Sequence, residues 1–152
     1  MEEVLTGELV EEMGRFANRA RELVAELVLN PDDGDSLPDA HEIAATAWHT
    51  LQLPEIAALR ERLTPEWPVY ALLEDSLKPS ALAGRIDAIA YAEDRAEVVV
   101  DWKSDVDPSD ADIRLHAGQL EDYLRVTGAP RGALVYMTPG LVRWVGRDER
   151  QS

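Results

Sequence analysis

Cysteine is absent from this 152-residue chain, which excludes disulfides, a thiolate metal site and a cysteine nucleophile. No apolar run approaches the roughly 20 residues of a membrane span, and the opening Met1-Glu2-Glu3 lacks the basic start of a signal peptide. Glycine and proline number only nine each, far from a low-complexity composition. Basic side chains are scarce: 15 Lys and Arg stand against 30 Asp and Glu, a formal net charge of -15. Phosphate contacts need Lys and Arg, so a broad basic surface that grips nucleic acid is excluded. What is present is 45% hydrophobic residues, the composition of a folded globule and not of an acidic tail. These features predict one soluble, cytoplasmic domain over 1–152, with a helical part at 1–63 and a sheet core at 64–146.

Periodicity divides the chain in the same way. Leu9, Met13, Phe16, Ala20, Leu23, Val24 and Leu27 recur at helical spacing and predict an amphipathic helix of about five turns. It ends before the charged loop Asn30-Pro31-Asp32-Asp33-Gly34-Asp35. A second helix is expected from Pro38 to Thr50, capped by Ser36, and a short third one opening at Pro54. Beyond Pro65 strands follow at Glu66 to Leu73, Leu82 to Tyr91 and Ala96 to Lys103, with a hairpin at Glu93-Asp94-Arg95. Val98-Val99-Val100 reads as a strand covered on both faces. Ser109 and Asp112 form a capping box for a helix that stops at Gly128. Ala133 to Met137 and Leu141 to Val145 close the chain as two strands. The order predicts an α/β fold with a mixed sheet flanked by helices.

Chemistry concentrates on two strands. Asp87 ends Gly84-Arg85-Ile86-Asp87, and Asp101 follows the valine run where a buried strand emerges. The two can face one another across the hairpin. Paired carboxylates repel unless a cation lies between them, and hard oxygen ligands of this kind suit Mg²⁺ or Mn²⁺. Lys103 shares the strand parity of Asp101, so its ammonium can orient a nucleophilic water or stabilise charge building on phosphorus. Taken alone, Asp-x-Lys at a strand end is also the pattern of a surface ion pair.

The ordered set Glu66-Trp67-Pro68-Val69, Gly84-Arg85-Ile86-Asp87, Val100-Asp101-Trp102-Lys103-Ser104-Asp105 and Gln119-Leu120-Glu121-Asp122-Tyr123 resembles RecB/AddA-type nuclease domains. These belong to the PD-(D/E)XK superfamily and occur at the C-terminus of UvrD-like helicases. The resemblance runs from about Ala47 to Val145. It implies a restriction-endonuclease-like fold and a metal-dependent DNA nuclease, an exonuclease or end-processing activity in DNA repair and recombination, with DNA and a helicase domain as partners. It further implies that Asp87, Asp101 and the Trp102 carbonyl bind Mg²⁺ or Mn²⁺, and that Lys103 is the catalytic lysine. Gln119 and Tyr123 would line the site, and Glu66 would support it from the preceding strand.

The pattern departs from that family in one respect. Its metal-binding His near the domain start has no counterpart among His41, His49 and His116. The opening residues resemble the stretch that follows that His, so the ligand is expected upstream of Met1. His41 and His49 read as packing or surface residues, while His116 can reach the face of Gln119. A catalytically inactive docking or regulatory domain on the same fold is the alternative. Trp48 and Trp67 are expected to pack helices on the sheet and Trp144 to pack the last strand, and no aromatic spacing suggests a base-stacking platform.

Overall fold

In a computed structural model the described residues are 1–28, 38–73 and 80–146. Two compact units emerge, Met1–Ala58 and Leu59–Ser152.

The first unit is helical: α1 (Glu2–Leu5), α2 (Met13–Val28) and α3 (Ala40–Gln52), leading into α4 (Pro54–Leu59). The long first helix is shorter than its apolar stripe, because Gly7 turns the chain at φ 80° and leaves Leu9 outside. Phe16 and Ala20 are buried, and Phe16 meets the edge of Trp48 with ring centroids 5.5 Å apart. Arg19 reaches back to Glu3 at 2.7 Å, tying α2 to α1. Helix α3 starts at Asp39, whose side chain accepts the His41 N–H at 2.9 Å. The cap expected at Ser36 lies outside the described residues. No helix among the described residues is long and apolar enough to cross a membrane.

The second unit is a five-stranded mixed sheet with β1 (Leu63–Leu73), β2 (Ser80–Ala92), β3 (Arg95–Lys103), β4 (Arg131–Tyr136) and β5 (Leu141–Gly146). The spatial order is β1-β2-β3-β4-β5, antiparallel throughout except for the parallel β3–β4 pair. A parallel neighbour needs a crossover, and helix α5 (Asp110–Thr127) supplies it. A mixed sheet with α5 across it is the α/β class expected.

The ends of α5 follow its sequence signals. Ser109 and Asp112 exchange both bonds of a capping box, and Gly128 closes the helix at φ 74°. Leu120, Tyr123 and Leu124 press onto Val69, Ile86, Ile89, Val99, Leu134 and Tyr136. Gly132 lets Leu120 approach the sheet, since a Cβ there would lie 2.7 Å from its side chain. Ala88, Ala90, Val98, Val100, Ala133 and Val135 on the other face are equally buried. The valine run is therefore covered on both faces, as its lack of alternation predicts.

Candidate functional site

The β2–β3 ladder places the two aspartates. Ala88 pairs with Val100 as the last pair of that ladder, and Asp87 and Asp101 adjoin it. Strand β2 is not regular there. Ile86 and Ile89 both face α5 although they are three residues apart, so the two-residue alternation slips once between them. On β1 the flanking pairs are Pro65 with Ala88 and Trp67 with Ile86, while Glu66 between them takes φ 58°. A non-glycine residue in that left-handed region is strained. The break in pairing thus falls at Glu66 and Asp87, beside the regular parity of Asp101 and Lys103 on β3.

This irregularity turns the Asp87 carboxylate along the sheet, where its Oδ2 accepts the Trp102 N–H at 2.8 Å. Asp101 is 7% exposed. Its Oδ2 is ion-paired with Lys103 Nζ at 2.8 Å and accepts no hydrogen bond among the described residues. A buried carboxylate oxygen without a hydrogen bond is costly. Burial and then the adjoining Asp101 carboxylate push the Asp87 carboxyl up to about 6, against the opposing pull of the Trp102 N–H and the Lys103 charge. The Asp87 and Asp101 carboxylates, side by side on neighbouring strands, are hard oxygen donors of the kind a divalent cation takes.

The remaining residues named from sequence are placed unequally. Tyr123 is buried, and its hydroxyl lies over the Gly84 backbone, 3.0 Å from where a Cβ would stand. Gly84 is therefore the residue that lets the tyrosine reach the strand leading to Asp87. Gln119, one turn earlier, is exposed. Trp102 is half-buried between Asp101 and Lys103. The Glu66 carboxylate is diverted to Arg85, with which it forms an ion pair. Among the described residues no three His, Cys, Asp or Glu side chains converge as a metal would need. His41 and His49 are exposed.

Two features escape a reading of the sequence. Tyr136 is fully buried and is the register partner of Lys103, and its hydroxyl lies 3.1 Å from His116 Nδ1. Burial foremost, then Asp105, Asp101 and Asp112, raise the phenol's pKa. The helical position of His116 was visible, but its partner depends on which strand lies parallel to β3. The second feature is Trp67, which does not pack beneath a helix: it is 39% exposed and tilts against Tyr91 at 5.5 Å. Trp67, Tyr70, Tyr91 and Arg95 line a groove of about 790 Å³. Trp144 is likewise partly exposed, with the Arg131 guanidinium 4.7 Å over its ring.

Among known proteins no family model matches the chain, and no curated protein matches it. A solved structure described as "Crystal structure of SSO0001" is similar with a TM-score of 0.48 and 20% identity. The match covers 90% of this chain and 62% of the other, so the chain spans less than two thirds of that neighbour's length.

Proposed function

We propose that this chain is a metal-dependent DNA nuclease domain, hydrolysing phosphodiester bonds at ends or in single strands. The observation that carries the reading is the half-buried Asp87 carboxylate beside the buried Asp101, with Lys103 Nζ ion-paired to Asp101 at 2.8 Å. Asp87 and Asp101 would hold Mg²⁺ or Mn²⁺, with the Trp102 carbonyl as a backbone ligand. When bound, the cation supplies Lewis acidity and lowers the pKa of water. Lys103 holds Asp101 in place through its charge and presents an ammonium to the substrate phosphate, where negative charge builds during hydrolysis. Tyr123 fixes α5 against β2 close to Asp87, and Gln119 offers an exposed amide from the preceding turn. The net charge of -15 argues that the domain holds DNA poorly by itself. A helicase partner that feeds DNA to the site answers that deficit.

The test is Mg²⁺-dependent degradation of labelled single-stranded and blunt duplex DNA, with Asp101→Asn as the control. Activity in wild type that Asp101→Asn abolishes supports the nuclease. Equal cutting by both proteins sinks it. A folded wild type that neither cuts nor takes up Mg²⁺ in calorimetry favours the inactive docking domain instead.

A further inference from the structure

Strand β5 brings to the site an arginine that the mechanism above does not use. Leu134 pairs with Asp101 on one side and with Arg143 on the other, so the three stand in one row across β3, β4 and β5. Leu141 and Val145, two residues to either side of Arg143, pack onto the α5 face of the sheet, and alternation sends the Arg143 side chain to that same face. Val99 and Leu134 fix it as the face of Asp101 as well. We propose that Arg143 binds a phosphate of the DNA strand next to the one being hydrolysed; this rests on the nuclease reading of Asp87, Asp101 and Lys103.

Geometry and charge carry the assignment. Neighbouring strands lie about 4.8 Å apart, so two spacings put the Arg143 backbone about 10 Å from that of Asp101, a separation that neighbouring phosphates of one strand can span. Arg143 is exposed, and among the described residues it forms no ion pair, although the chain has 30 acidic side chains against 15 basic ones. Asp101 is ion-paired with Lys103, and Asp112 is engaged with Ser109 at the start of α5. The Arg143 charge acts on the Tyr136 hydroxyl, opposing Asp105, Asp101 and Asp112, and Tyr136 is the register partner of Lys103. Its field therefore reaches the part of the sheet that carries the lysine. A guanidinium is weakly hydrated and offers a planar fork to two phosphate oxygens, so it binds phosphate with a fixed direction. Lys103 meets the phosphate under attack, and Arg143 orients the strand from β3 toward β5. A single such contact accords with a domain whose net charge of -15 otherwise repels DNA.

The experiment is steady-state degradation of labelled single-stranded DNA by the intact chain in Mg²⁺ at several salt concentrations, comparing wild type with Arg143→Gln, Arg143→Lys and Arg95→Gln. Arg95 is the charge-matched control, exposed and six residues before Asp101 on β3, about 20 Å away. Arg143→Gln should raise KM about tenfold while kcat stays within about twofold of wild type. It should also flatten the fall of log kcat/KM with log salt by about one in slope. Arg143→Lys should keep the wild-type slope with an intermediate KM, because the charge remains and the fork is lost. Arg143→Gln with the KM and salt slope of the Arg95→Gln control, or with a lower kcat at unchanged KM, overturns this inference and leaves the nuclease reading standing. A wild type that does not cut DNA overturns both.

Discussion

Replacing Asp87 by asparagine should stabilise the metal-free protein at neutral pH while removing its activity. In the fold the Asp87 carboxyl is raised from 3.8 to about 6, first by burial and then by Asp101. A carboxyl whose folded pKa exceeds its unfolded value favours folding when protonated. Its contribution is complete below about pH 3.8 and is lost as pH rises through about 6. A shift of about two units corresponds to about 3 kcal/mol. Water reaching the half-buried carboxylate reduces this to about 1–2 kcal/mol. Asparagine keeps an oxygen for the Trp102 N–H, bonded at 2.8 Å in wild type, and carries no charge. Each kcal/mol moves the melting point of a domain of this size by about 2–4 °C. In EDTA at about pH 8, Asp87→Asn should therefore melt roughly 2–8 °C above wild type, and the gap should close toward pH 4. Urea unfolding across that range checks it. Mg²⁺ should then raise the wild-type midpoint and leave the variant's unchanged, because only an intact site binds the ion in the native state. A variant no more stable than wild type at pH 8 in EDTA, or a pH-independent difference, refutes the argument.

Other substitutions test neighbouring links of the same chain of reasoning. Lys103→Met should lower nuclease activity by about 10²-fold or more while leaving the circular dichroism spectrum native; activity within a factor of two would remove the lysine from the mechanism. Gly132→Ala drives a methyl to 2.7 Å from the fully buried Leu120 and should cost about 1–3 kcal/mol in urea unfolding. Ser109→Ala deletes the hydroxyl half of the α5 capping box and should cost about 1 kcal/mol by the same measurement, with faster amide exchange confined to the first turn of the helix.

Acidic charge in this protein has two distinct meanings. Most of it is spread over side chains that water and salt screen, and there it opposes DNA binding. At Asp87 and Asp101 it is focused in a partly dry place, where a cation would relieve its cost. The proposed cutting and a weak grip on DNA would both follow from where the same residue types sit.

Local structure was legible wherever neighbours in sequence decide it. The capping box at Ser109 and Asp112, the Gly128 stop, the helix opening at Pro54 and the hairpin at Glu93-Asp94 all form as read, because each depends on a few consecutive backbone groups. The doubly buried valine strand was legible too, since only a strand covered on both faces can dispense with polar alternation. Strand parity alone put Asp101 and Lys103 on one side, and they meet at 2.8 Å. Other features belong to the tertiary structure. The left-handed Glu66, the slip between Ile86 and Ile89, and the diversion of Glu66 to Arg85 arise from how β1 and β2 fit each other. The His116–Tyr136 contact exists because β4 lies parallel to β3 beneath α5. Trp67 leaves the core for a groove for the same kind of reason. The sequence by itself therefore determined which residues alternate, cap and turn, through interactions a few bonds long. Only the assembled sheet decided which carboxylate is buried, which is half-exposed and which is drawn away, because desolvation and pairing depend on groups that are distant along the chain.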